Sequence, residues 1–227
     1  MAISATKLPA FGLFGGSFDP VHRGHICLAE KVQQSLGLQG MALLPAAQQP
    51  LKGLANVSAR QRLAMLNLAL TPFPNLSVDA RELGRSGPSY TVDTLQQWRL
   101  EHDEKACLCF CMGLDSLMQL HRWHRWEQLF ELANLIVLAR PGWSWAEAAS
   151  ALPPKLQAEL KARRCEDVAP ILVTPKGKWI LLEAPLMDIS STKIRQQLAA
   201  GVPASQLSEL PQSVANYIEE HSLYCAN

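Results

Sequence analysis

Ala10-Phe11-Gly12-Leu13-Phe14-Gly15-Gly16-Ser17-Phe18-Asp19-Pro20-Val21-His22-Arg23-Gly24-His25 is the stretch that decides the fold. Ala10 to Gly15 is a short apolar run ending in Gly-Gly, the pattern of a buried strand that passes into a tight loop. Beyond it, Ile26, Ala29, Val32 and Leu36 recur at the helical period and Gly37 supplies a stop signal, which predicts a helix over Arg23–Leu36. A strand, a glycine loop and a helix in that order open an α/β sheet.

The alternation continues outward from this unit. Strand patterns fall at Met41–Leu44, Leu76–Val78, Ala106–Met112 and Asn134–Ala139, with helical patterns through Arg62–Leu70 and Thr91–His102 between them. Short apolar runs separated by helices imply parallel strands with crossover connections, so the predicted architecture is Rossmann-like. It is a doubly wound, mostly parallel sheet with helices on both faces. Trp143–Arg164 reads as peripheral and helical, and Pro170–Ala184 as two short strands around Lys176-Gly177-Lys178. Ser190 has the look of an N-cap for a helix closed by Gly201, and Pro211 opens a last helix. The expectation is one domain over residues 1–227 with a C-terminal helical portion from about 188 to 227.

Composition narrows the function. With 21 Lys and Arg against 20 Asp and Glu, the formal net charge is +1, so no basic field exists to drive general nucleic-acid binding and any phosphate recognition must be local. The sequence lacks a run of 18 uncharged apolar residues, and the N-terminus shows no signal-peptide pattern; the expectation is a soluble, cytoplasmic protein without a membrane partner. Six cysteines then read as free thiols. Cys107, Cys109 and Cys111 alternate, as residues on one face of a strand do, and their spacing is not that of a metal site, so no protein metal site is assigned.

In an open α/β sheet the first strand-to-helix turn is a common phosphate cradle, because glycines admit the ligand to the backbone and the helix N-terminus favours an anion. Gly15, Gly16, Ser17 and Phe18 occupy that turn. His22 and His25, three residues apart at the helix start, can place both rings on one face and donate to phosphate oxygens as charge builds on a leaving group. A single histidine there would read as a cap or a surface residue; the pair reads as machinery. Far downstream, Ile189-Ser190-Ser191-Thr192-Lys193-Ile194-Arg195 puts hydroxyls and helix-terminal amides beside a cation, again an anion-binding arrangement.

The Gly-Ser-Phe-Asp-Pro-Val-His-x-Gly-His run resembles the H-x-G-H signature of the nucleotidyltransferase α/β phosphodiesterase superfamily. The Ile189–Arg195 run is similar to the I-S-S-T-x-I-R element that closes over the triphosphate in that superfamily. The resemblance implies ATP as substrate with Mg²⁺ as its companion ion. It gives catalytic roles to His22, His25 and Arg195, and ATP-binding roles to Gly15, Gly16, Ser17, Phe18, Ser191 and Thr192. The whole chain further resembles the branch that makes nicotinic acid adenine dinucleotide, through Gly87-Pro88-Ser89-Tyr90-Thr91, Gly113-Leu114-Asp115-Ser116-Leu117 and Leu135-Ile136-Val137-Leu138-Ala139-Arg140-Pro141-Gly142.

That branch implies transfer of AMP from ATP to nicotinate mononucleotide, releasing pyrophosphate. Gly113, Asp115 and Arg140 fall where it meets the nucleoside, and Ser89, Tyr90, Thr91, Trp123 and His124 where it meets the pyridine and its carboxylate. An aromatic plate and hydrogen-bond donors suit a pyridine carboxylate on physical grounds as well. Trp126 is assigned to the core. One departure stands out: Pro50-Leu51-Lys52 stands where the branch often carries Pro-His-Lys or Pro-His-Arg, so the histidine's role has no bearer here and Lys52 is left to reach phosphate. The alternatives are an enzyme of the superfamily with another acceptor, such as phosphopantetheine, and a nucleotide sensor that does not turn over. A homo-oligomer is compatible with the sequence.

Overall fold

The computed structural model describes residues 7–48, 57–85, 87–139, 145–183 and 189–225. Its elements in chain order are β1 (Ala10–Gly16), α1 (Arg23–Leu36), β2 (Gly40–Pro45), α2 (Ala59–Leu70), β3 (Leu76–Val78), α3 (Thr91–Glu101), β4 (Cys107–Gly113), α4 (Leu114–Met118), β5 (Asn134–Ala139), α5 (Trp145–Ser150), α6 (Pro154–Arg163), α7 (Ala169–Leu172), β6 (Trp179–Glu183), α8 (Ser191–Ala199) and α9 (Gln212–Glu220). The strands form one six-stranded sheet in the order β3-β2-β1-β4-β5-β6. The ladders β1–β4, β4–β5 and β5–β6 are parallel. This is the doubly wound α/β order that the alternation of runs predicted. The chain winds outward from β1 to β3, returns to β4 and winds the other way to β6.

By its contacts the chain divides into two compact, interleaved units. The first comprises Met1–Phe14, Val32–Met41 and Tyr90–Pro185. Its core is built on β4 and β5, whose residues are buried on both faces, as central parallel strands are. Cys107, Cys109 and Cys111 are free and wholly buried, and burial pushes the Cys111 thiol well above its ordinary range, so it packs as a small protonated hydrophobe. Two polar side chains knit the edges of this core. The Arg99 guanidinium donates to the carbonyls of Leu132 (2.7 Å), Ala106 (2.8 Å) and Pro175 (2.9 Å). Asn134 donates to the carbonyl of Thr174 (2.8 Å) and accepts from the Lys178 N–H (2.9 Å).

Of the two strands expected in Pro170–Ala184, only the second exists: Trp179–Glu183 is β6, whereas Ala169–Leu172 is helical. Pro170 sits in the first turn of that helix, where its fixed φ fits and its missing N–H costs nothing. Ile171 is fully buried there. A four-residue apolar run has too little length to show its period, and the proline was the better guide.

The second unit comprises Gly15–Lys31, Ala42–Ser89 and Leu186–Asn227. Ser58 opens α2 with a capping box: its hydroxyl accepts from the Gln61 N–H (3.3 Å) while its own N–H donates to Gln61 Oε1 (3.0 Å). The buried face of α2 carries Met65, Leu66, Ala69 and Leu70 and packs on α9, which buries Val214, Ala215 and Ile218. Ser190 caps α8 by accepting from the Lys193 N–H (3.2 Å), as expected from the sequence. Among the described residues no helix is long and apolar enough to cross a membrane.

Candidate active site

The loop after β1 is shaped by its own side chains. Phe18 has a left-handed backbone (φ 48°), and its ring is 1% exposed. A Cβ on Gly16 would lie only 2.8–3.1 Å from three atoms of that ring, so glycine is required there to seat Phe18. The space beside Gly16, expected from the sequence to admit a ligand, belongs first to the phenyl ring. Gly16→Ala is expected to cost about 1–3 kcal/mol of stability through overpacking, read by urea denaturation; an unchanged midpoint would show that the ring moves aside freely.

Phe18 turns its ring edge-on to His25 (centroids 5.0 Å, 76°), and His25 stacks on His22 (3.7 Å, 19°). The His25 Nδ1 accepts the backbone N–H of His22 (3.3 Å). In a neutral ring the proton therefore sits on Nε2, which makes that nitrogen a donor. Gly24, between the two histidines, has the same logic as Gly16: a Cβ would come 3.1 Å from the His22 ring and 3.6 Å from Ile189. The spacing H-x-G-H thus follows from packing one buried imidazole against a helix's first turn.

The second motif meets this loop directly. Ser191 Oγ donates to the Pro20 carbonyl (3.0 Å), and Arg195 Nη1 donates to the Asp19 carbonyl (2.7 Å) while Nη2 reaches Thr192 Oγ1 (3.3 Å). Two segments separated by more than 160 residues in the chain are therefore one constellation. Ser191 and Thr192 occupy the first turn of α8, whose leading N–H groups have no partner within the helix.

Arg62 is one of the residues that the sequence pattern does not single out. It is only 1% exposed, on the buried face of α2, and its Nη1 donates to the Ser17 carbonyl (2.7 Å) and its Nη2 to the Ala47 carbonyl (3.2 Å). Burial pulls the guanidinium below its ordinary range, opposed by the Asp19 carboxylate, yet an arginine keeps its proton at neutral pH. Since a carbonyl and the following N–H share a plane and point in opposite directions, holding the Ser17 carbonyl also sets the direction of the Phe18 N–H. Nothing local in Gln61-Arg62-Leu63 separates this buried arginine from a solvated one; only its distant partners do. Ser89 supports the same region, its Oγ accepting the Ala47 N–H (3.0 Å) and its N–H donating to the Gln48 carbonyl (2.9 Å).

The first unit gathers a second group. Tyr90 is the N-cap residue of α3 and Thr91 its first residue. The Tyr90 ring lies against His124 (4.5 Å, 34°), an exposed imidazole. Arg125, left-handed at φ 48°, pairs with Asp93 in the first turn of α3, a clamp between that helix and the residue next to His124. Trp123 is half-buried and edge-on to Phe110 (6.4 Å, 77°), while Trp126 is buried as expected for a core residue. Gly113 ends β4, and the exposed Asp115 in the first turn of α4 folds its carboxylate back against it. Lys52 and Arg140 lie outside the described residues.

Known proteins share both the sequence and the fold. A family model described as cytidylyltransferase-like matches residues 13–197. A "Probable nicotinate-nucleotide adenylyltransferase" of Yersinia pestis (strain Pestoides F) is 41% identical over 224 residues, 99% of this chain and 99% of that protein. A protein of the same name from Laribacter hongkongensis (strain HLHK9) is 45% identical over 221 residues, covering 96% of this chain and 97% of the relative. A structure of the Plasmodium falciparum nicotinic acid mononucleotide adenylyltransferase complexed with NaAD superposes with a TM-score of 0.71 at 18% identity, over 96% of this chain and 98% of that one, which shows the shared fold. The chain thus belongs to the cytidylyltransferase-like family and, within it, to the nicotinate-nucleotide adenylyltransferases.

Proposed function

We infer that this chain transfers AMP from ATP to nicotinate mononucleotide, yielding nicotinic acid adenine dinucleotide and pyrophosphate. The observation that carries the reading is the union of the two motifs, with Ser191 and Arg195 donating to the carbonyls of Pro20 and Asp19 in the loop that bears His22 and His25. Relatives named for this activity at 41% and 45% identity over nearly the full length support the same substrate pair. The family match spans both compact units, which supports reading the chain as one nucleotidyltransferase domain.

In this reading an acceptor phosphate oxygen attacks the α-phosphorus of ATP in line; one P–O bond forms, the bond to the bridging oxygen breaks, and pyrophosphate leaves with the electron pair. The acceptor phosphate is already a competent nucleophile, so the protein's task is to orient groups and stabilise charge. The amides of the Ser17–Phe18 segment and the first turn of α8 bind phosphate oxygens, and His22 and His25 donate to the departing group. Mg²⁺, when bound with the nucleotide, neutralises the triphosphate. Tyr90, His124 and Trp123 are assigned to the pyridine ring, Thr91 and the N-terminal amides of α3 to its carboxylate, and Gly113 and Asp115 to the nucleoside. The cysteines' free state fits a reducing, cytoplasmic setting.

Pyrophosphate release measured with ATP and a panel of acceptors tests the reading. Nicotinate mononucleotide is expected to be preferred over its amide and over phosphopantetheine. Preference for phosphopantetheine would assign the chain to another branch of chemistry, and ATP binding without turnover on any acceptor would make it a sensor.

A further inference from the structure

We propose that Tyr224, near the C-terminus, is a positioning residue for the loop that bears His22 and His25, acting through the Asp19 carboxylate. The inference rests on the adenylyltransferase reading for its consequence, and on geometry for its existence. Tyr224 Oη donates to Asp19 Oδ1 at 2.8 Å, across 205 positions of sequence. To bring the ring there the chain turns back after α9 through two non-glycine residues in the left-handed region, Ser222 (φ 49°) and Tyr224 (φ 64°). Side chains rarely adopt that conformation, and it persists where surrounding contacts over-determine it.

The contact matters because Asp19 is 4% exposed, and a buried carboxylate must be met by donors or positive charge. Tyr224 supplies the donor, and the phenol also feels the charges of Arg62 and Arg195, so these four side chains form one electrostatic cluster. Burial beside the carboxylate raises the phenol far above its ordinary range, so its proton is always available for donation. Asp19 is consequently gripped at both ends, its side chain by Tyr224 and its carbonyl by Arg195. Fixing Asp19 fixes the path from Phe18, on one side, to Val21 and His22 on the other. The hydroxyl is committed to Asp19, which makes Tyr224 a positioning residue and not a phosphate ligand.

Tyr224→Phe keeps the ring and deletes the donor, so it tests the idea with little risk to folding. The expected result is a KM for ATP raised about tenfold, an unchanged KM for nicotinate mononucleotide, and affinity for inorganic pyrophosphate, measured by calorimetry, lowered by about the same factor. In an Asp19→Asn background the same substitution should add less than about twofold, since coupled residues are non-additive. Wild-type KM for ATP and pyrophosphate affinity in Tyr224→Phe would overturn the proposal, as would losses that simply multiply in the double variant. Pyrophosphate binding needs no acceptor, so it decides the role of Tyr224 separately from the choice of acceptor, which is decided by wild-type turnover.

Discussion

His25→Ala is expected to lower kcat by about 10²-fold or more while leaving the fold intact, comparable to the loss of one oxyanion donor in acyl transfer. The ring's Nδ1 is occupied by the His22 N–H, so the donating nitrogen is Nε2, and charge that builds on departing pyrophosphate is where a donor gains most. Single-turnover kinetics with ATP and nicotinate mononucleotide separate this from a binding defect: the chemical step should slow far more than KM for ATP rises. A His25→Asn variant, which offers an N–H donor without an imidazole, should recover part of the loss. Near-normal turnover in His25→Ala would remove His25 from the mechanism and leave the ring a packing role against Phe18 and His22.

The second large effect belongs to Arg62. Arg62→Ala strips two carbonyls of a charged donor and leaves a void on the buried face of α2, so a stability loss of about 3 kcal/mol is expected in denaturant titrations. The loss in kcat/KM for ATP should exceed what the stability loss explains, on the order of 10²-fold at temperatures where the variant stays folded, because the Ser17–Phe18 peptide plane loses its anchor. Arg62→Lys discriminates between charge and geometry. An ammonium keeps the cation but cannot offer the planar fork that spans the carbonyls of Ser17 and Ala47, so lysine should restore stability more than activity. Full recovery by lysine would mean that the buried charge alone is what the loop needs.

How much of this was visible in the sequence depends on how local each signal is. The helix over Arg23–Leu36, the strand at Asn134–Ala139 and the Ser190 cap are all dictated by residues within a few positions of one another, and they stand where the patterns placed them, whereas Gly15 and Gly16, expected in the turn, are the last residues of β1. The histidine pair and the Ile189–Arg195 run carried the site because their residue types and spacings are chemically unusual. Arg62, Tyr224 and the Asp93–Arg125 clamp were not legible, since an arginine, a tyrosine or an aspartate looks the same whether its partner is solvent or a carbonyl far along the chain. The short helix Ala169–Leu172 escaped for a different reason: four residues do not complete enough turns to display a helical period. The role of Gly16 was half read, as a residue that needs space, with the occupant of that space visible only in three dimensions.

The wide sequence separations in the scaffold of the His22–His25 loop have a consequence for how the protein is made. The groups that hold the loop's carbonyls and its carboxylate, Ser191, Arg195 and Tyr224, follow it in the chain by 171 to 205 positions. Domains fold during synthesis only as their segments emerge, and contacts of such high order form late. The loop therefore leaves the ribosome well before the side chains that hold it, and its full set of anchoring contacts forms only after Tyr224 has been added.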